Sequence, residues 1–197
     1  MTIKPSAQTN LLGLMQETMD IGCRAGLRSM ESMLDKMTFR DSPVRINVDA
    51  ENLLINFEQA EVLGIRFDVS GLFDGIVGLF MTPVAIAATL VKTGQGEPTQ
   101  TLSDLQVSTL LEVGNIFVSS FLNALSAAYQ KKLMPSTPSI VRGAPISLLL
   151  KEIQNAGNLA PILCAEKHLF DQHDRSLGFV AMVIQEKTLS GLKHSLT

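Results

Sequence analysis

Glu17, Asp20 and Pro43 recur at a constant offset of 95 residues, as Glu112, Asn115 and Pro138. The repetition extends to the text around them. Apolar residues at helical spacing run over about 10–37 and again over about 103–134. Behind each helix come a prolyl turn, three strand-like runs and a short helical piece. They read "VRINVDAENLLINFE", "VLGIRFDVSG", "GIVGLFM" and "PVAIAATLV" in the first half, and "SIVRGAPISLLL", "APILCAEKHLF", "LGFVAMVIQ" and "TLSGLKHSL" in the second. A repeat this long constrains the architecture more than any single motif does. It predicts an α+β fold with a pseudo-two-fold duplication, two long helices packed on a sheet built from two three-stranded halves. The halves span about 10–94 and 103–197, joined by the polar linker "KTGQGEPTQTLS" at 92–103. Neither half carries material to cover both faces of its own sheet, so a single domain over 1–197 is expected.

Composition narrows the function classes. With 197 residues, 46% hydrophobic and 18% charged, the chain can fill one core. Its net charge of −3 lacks the Lys/Arg excess that neutralises phosphates, and no basic run marks an anionic membrane surface, so nucleic acid and membrane partners are not expected. Cys23 and Cys164 have no CxxC spacing and sit among apolar or small residues, which reads as reduced core thiols in the cytoplasm. The opening "MTIKPSAQTN" has neither the apolar core nor the cleavage site of a secretory signal. Residues 75–91 are uncharged but shorter than the roughly 20 residues of a spanning helix, and Pro83 interrupts them. They read as strand, turn and buried helix, with a membrane span as the weaker alternative.

The two long helices differ in their outer faces. In the second, Glu112 is the only charged side chain between Asp104 and Lys131; Leu111, Gly114, Val118, Phe121, Leu125 and Ala128 form the apolar face, while Ser108, Asn115, Ser119 and Ser126 join Glu112 on the other. The first carries an ordinary charged stripe of Glu17, Asp20, Arg24, Arg28 and Glu31. Capping candidates are Thr9 or Asn10 for the first and Ser103 for the second. Gly114 costs about 1 kcal/mol relative to alanine inside a helix, which points to close approach of a neighbouring element or partner. Gly22 reads the same way. The methionines at apolar helical positions, such as Met15, Met19 and Met30, read as core filler. His168, His173 and His194 show no metal spacing with the cysteines, and "KHLFDQHDRS" reads as a solvated loop. Serine-hydrolase elbow, P-loop and dinucleotide-binding signatures are all missing from the sequence.

Ser108, Glu112, Asn115 and Pro138 fit the pattern Ser-x3-Glu-x2-Asn-x22-Pro. This pattern, with the "GN" step and the duplication, resembles the signature of the CheC/CheX/FliY family of response-regulator phosphatases in bacterial chemotaxis. The resemblance covers nearly the whole chain. Two motif-bearing halves are similar to the CheC type, whereas the CheX type has one motif copy and FliY-like proteins carry an added switch-complex domain.

The resemblance implies a hydrolase of two-component signalling that removes the phosphoryl group from the aspartyl phosphate of a CheY-like regulator. It implies that Glu112 pairs with a regulator lysine and that Asn115 orients the attacking water. Ser108 and Ser119 would border the partner surface, and Pro138, like Pro43, would be structural. No metal or cofactor of its own is expected, the Mg2+ belonging to the regulator. The alternative is a non-catalytic adaptor that binds the regulator or the CheD deamidase.

The residue types suit the implied chemistry. An acyl phosphate is already activated, so its hydrolysis depends mainly on positioning an in-line water. A neutral amide can hold that water beside phosphoryl oxygens without adding charge. Glu112, three residues earlier on the same face, can receive an ammonium. Without the proline spacing and the repeat, both would read as solvated helix-surface residues.

The first half has Gly13, Glu17, Asp20 and Pro43 at the matching places. A carboxylate about 4 Å from phosphoryl charge costs about 4 kcal/mol at an effective dielectric near 20, or roughly three decades in rate. Arg24, one turn on, is placed to pair with Asp20. Glu17 and Asp20 are therefore expected to form a degenerate second site.

Overall fold

The computed structural model describes residues 5–35, 37–47, 62–143 and 162–185. The described chain runs α1 (Pro5–Met33), β1 (Arg40–Asp41), β2 (Arg45–Asn47), β3 (Val62–Gly71), β4 (Gly75–Met81), α2 (Pro83–Lys92), α3 (Asp104–Tyr129), β5 (Leu133–Pro135), β6 (Ser139–Gly143), β7 (Ile162–Phe170) and β8 (Ser176–Gln185). The expected strand text at 48–58 and 144–150 and the closing helical piece at 188–196 lie outside the described residues.

Local chemistry sets the helix boundaries. Ser103 caps α3: its Oγ accepts from Gln106 N at 3.2 Å, and Gln106 Oε1 accepts from Ser103 N at 3.1 Å. The helix ends where Gln130 turns left-handed, at φ 51°, five residues earlier than the apolar pattern suggests. In α2, Pro83 follows Thr82, whose Oγ1 accepts from Ala85 N at 3.3 Å. The α1 helix starts at Pro5, so Thr9 and Asn10 lie inside it and are not its cap.

All the described strands pair antiparallel in one sheet, in the order β1-β7-β8-β4-β3-β5, with β2 also on β7 and β6 also on β3. The α+β architecture agrees with the sequence reading, and the structure adds how the halves interlock. The strands that follow α1 close on the β7–β8 hairpin of the second half, and those that follow α3 close on the β3–β4 hairpin of the first. The register between β4 and β8 joins the two hairpins through the sheet centre, with Gly78 opposite Ala181.

Helices α1 and α3 cross antiparallel over one sheet face. The Phe121 ring lies where a Cβ on Gly22 would come within 2.4 Å, and the Phe117 ring where a Cβ on Gly26 would come within 2.6 Å. The offset of 95 equates Gly22 with Phe117 and Gly26 with Phe121. One helix thus supplies rings and the other the hollows that receive them. Between the same helices, Tyr129 OH and Thr18 Oγ1 are 2.7 Å apart and buried; Thr18 donates to Leu14 O, so the phenol is the donor.

Under the helices, β3 turns Leu63, Ile65, Phe67 and Val69 inward, with Met15, Met19 and Met30 in the same core. On the opposite face Phe80 and Phe179 stack with centroids 4.5 Å apart. Cys23 and Cys164 are buried and free, and desolvation pushes both thiols well above their ordinary range. Residues 75–91 divide into β4 and α2 around Pro83, but α2 is not a buried helix: Ala85, Thr89 and Leu90 face the core while Val84 and Val91 are exposed. Among the described residues α3 is the one helix long and apolar enough to cross a membrane. It instead lays its apolar face on α1 and the sheet.

Candidate functional site

The polar face of α3 looks onto an open depression of about 480 Å³. Ser108, Leu111, Glu112 and Asn115 form one wall and Pro135–Pro138 the other. The second wall is held by specific bonds. Past the left-handed Gln130, Leu133 N donates to Ser126 Oγ at 3.1 Å, which brings β5 back along the helix. Ser136 N then donates to Asp68 O at 2.8 Å and Ser136 Oγ accepts from Asp68 N at 3.0 Å, fixing the loop on the edge of β3. Pro138 follows directly, with its fixed φ and no N–H to divert the loop.

Within the depression Glu112 is exposed and Asn115 half-buried. Among the described residues Glu112 has no ion-pair or hydrogen-bond partner. Asn115 has one: Ser119 Oγ donates to Asn115 Oδ1 at 3.4 Å. Ser108, Glu112, Asn115 and Pro138 therefore share one surface. Ser119 stands one turn behind Asn115, outside that lining. Leu111, read as part of the core face, is half-buried and contributes apolar surface to the depression. Gly114 faces inward, where a Cβ would approach Ile65 Cγ2 to 2.5 Å, so its role is to let α3 settle on β3.

The matching place on α1 is organised differently. Gly13 faces open space, Glu17 and Pro43 are exposed, and Asp20 is half-buried. Asp20 is not paired with Arg24, which is exposed. Its partner is Lys167 of β7, whose Nζ lies 2.6 Å from Asp20 Oδ1 and also donates to Asp41. Lys167 is only 6% exposed. Desolvation works against its charge, but hydrogen bonds to Asp20 and Asp41 and their negative charge outweigh it and raise the ammonium above its ordinary value.

The reading of "KHLFDQHDRS" as a solvated loop is corrected accordingly. Lys167, His168 and Leu169 are buried in β7, and only the segment from Asp171 onward makes the turn. The alternation of Leu163, Ala165, Lys167 and Leu169 holds the missed signal: it puts a lysine on the core side of a strand, where it needs a counter-charge. On the other side, His168 Nε2 lies 3.3 Å from Glu166 Oε1. In the turn, desolvation opposes ionisation of Asp171, yet hydrogen bonds from Arg175 and His173, with the Arg175 charge, lower its carboxyl to about 2. Among the described residues no three His, Cys, Asp or Glu side chains converge as metal ligands.

Comparison with known proteins covers the segment that carries these residues. The model of the CheC-like family matches residues 105–142, the span holding Ser108, Glu112, Asn115 and Pro138. Over 188 residues the chain is 26% identical to the CheY-P phosphatase CheC of Bacillus subtilis (strain 168), covering 90% of this chain and 88% of that protein. The fold is similar to that of Thermotoga maritima FliY, with a TM-score of 0.67, 12% identity, and coverage of 99% of this chain and 98% of that one. It is also similar to a chain in the CheX-CheY-BeF3-Mg+2 complex from Borrelia burgdorferi, with a TM-score of 0.56, 14% identity, and coverage of 85% and 97%. Residues 105–142 thus carry a CheC-like segment, within a fold similar to those of FliY and of a chain in the CheX-CheY complex.

Proposed function

We propose that this protein hydrolyses the aspartyl phosphate of a phosphorylated CheY-like response regulator, using the α3 depression alone. The carrying observation is the pairing of an exposed, uncommitted Glu112 with a neighbouring amide, Asn115, on an otherwise uncharged helix face beside an open surface. The activity named for the B. subtilis relative and the CheX–CheY complex support this reading.

In the proposed mechanism the regulator docks along α3 and its lysine ammonium bonds to Glu112, fixing the register of the two proteins. Asn115 then reaches the acyl phosphate, and its amide holds a water in line with the phosphorus–oxygen bond to be broken. The Ser119 hydroxyl orients the amide by donating to Oδ1. Ser108 and Leu111 border the contact, and Pro138 holds the far wall. The regulator supplies the Mg2+. Glu17 and Asp20 do not work as a second catalytic pair. We read the chain as one duplicated, cytoplasmic domain with its halves at about 10–94 and 103–197.

The test is the loss of phosphorylated regulator with substoichiometric protein. Turnover in excess of protein supports catalysis. Binding of regulator or CheD without turnover supports the adaptor reading instead.

A further inference from the structure

The mechanism above leaves Lys167 unused, yet this lysine bonds to α1 at Asp20, the position that matches Asn115 on α3. The α3 cleft has the helix face of Glu112 and Asn115 as one wall and Pro135–Pro138 as the other. The same offset of 95 equates Asn115 with Asp20 and Ser136 with Asp41. On α1 these two positions, one on each wall, are joined through one ammonium: Lys167 Nζ bonds to both carboxylates.

The strands beneath the helices differ in the same sense. Under α3, β3 presents Leu63, Ile65, Phe67 and Val69; under α1, β7 presents Leu163, Ala165 and Leu169 with Lys167 among them. A buried ammonium requires compensating charge, and two carboxylates at the cleft walls provide it. Asp20, Asp41 and Lys167 thus form one set, whereas Asn115 and Ser136 are neutral and need no buried cation. The presence of Asp20 in place of an asparagine is explained by the lysine below it.

Resting on the reading in which Glu112 receives a regulator lysine, we infer that Lys167 is a built-in occupant of the α1 cleft. It ties the two walls together and supplies from within the cation that a partner would bring, so the chain docks one regulator, at α3, and its α1 copy is closed. Asp20→Asn alone does not open the cleft, because Lys167 keeps Asp41. Opening it requires loss of the lysine, and the Asp20 change then removes the like charge at the position that would hold the water.

The experiment is a calorimetric titration with a CheY-type regulator activated by beryllofluoride and Mg2+. The wild type and Asp20→Asn should each bind one regulator per chain, and Asp20→Asn/Lys167→Met should show a second binding event. Two events in the wild type, equal second events in Asp20→Asn and the double variant, or no second event in a folded double variant would overturn the inference. If the wild type binds no regulator, the functional reading fails, and closure is judged by hydrogen exchange of Lys167→Met. Faster exchange around Asp20 and over 40–42 then supports closure, and unchanged exchange refutes it. Should Lys167→Met not fold, amine labelling of the wild type decides: protection of Lys167 relative to the exposed Lys132 is expected, and equal labelling contradicts the inference.

Discussion

Helices α1 and α3 occupy corresponding places in a duplicated sequence, over the same sheet, and have opposite electrostatic economies. On α3 the carboxylate in the depression, Glu112, is exposed and uncommitted. On α1 the carboxylate at the asparagine position is spent on a lysine of the chain itself. The difference shows that a motif position is defined by what is free to meet a partner. Glu17 and Asp20 keep the spacing of Glu112 and Asn115, but the second member of the pair is satisfied internally.

The comparison can be broken first at Asn115. Asn115→Asp makes α3 resemble α1 without removing atoms from the cleft, and a like charge beside the phosphate should lower turnover by about three decades at neutral pH. Measured single-turnover rates that fall less than about tenfold would show that charge is not what separates the two helices.

The next effect concerns α1. Asp20→Ala/Asp41→Ala strips Lys167 of both counter-charges and should cost about 2–3 kcal/mol in urea unfolding. That is below the 3–5 kcal/mol of a fully buried pair, because each carboxylate is more than a third exposed. The sign with pH follows from the raised Lys167 value. The contribution is complete below the ordinary lysine value near 10.5 and is lost only as pH rises through the higher folded value, so the cleft stays tied at neutral pH.

Helix packing gives a comparable but smaller test. Gly22→Ala places a Cβ against the Phe121 ring and should destabilise by about 1–3 kcal/mol, while Gly13→Ala, with open space around it, should be neutral or slightly stabilising. Thermal unfolding of the two variants, differing in sign, would locate where α1 is constrained. Glu112→Gln should weaken regulator affinity by about tenfold, from loss of a charged hydrogen bond, with the bound-state rate affected less.

The smallest effect lies away from both clefts. Asp171 has a folded value near 2, below an unfolded carboxylate, so its contribution is present above about pH 4 and lost as pH falls toward 2. Asp171→Asn should flatten the acid limb of stability and leave phosphatase activity unchanged.

Much of this was legible in the sequence, for identifiable reasons. The prolyl turns and period-two runs located β3, β4, β7 and β8 within a residue or two, and Ser103 marked the start of α3. Ser108, Glu112, Asn115 and Pro138 were singled out by their resemblance to a family pattern, and the structure brings them to one surface. The pairing of β1 and β2 with β7 was not legible, because register between distant segments leaves no local signature. Nor was the Asp20–Lys167–Asp41 set, whose members are 147 residues apart at the extremes; Arg24, one helical turn from Asp20, was the nearer and wrong candidate. The alternating pattern of β7 carried the clue, since a lysine in phase with Leu163 and Leu169 must find its charges across the fold.

The central claim is that Asn115 holds the water and Asp20 does not. The direct measurement is the turnover of phosphorylated regulator by Asn115→Ala and Asp20→Ala beside the wild type, with folding of each checked by circular dichroism. The account predicts that Asn115→Ala loses at least about a hundredfold in turnover, the scale of a lost positioning contact, while Asp20→Ala retains the wild-type rate. An unchanged rate in Asn115→Ala with loss in Asp20→Ala would contradict it.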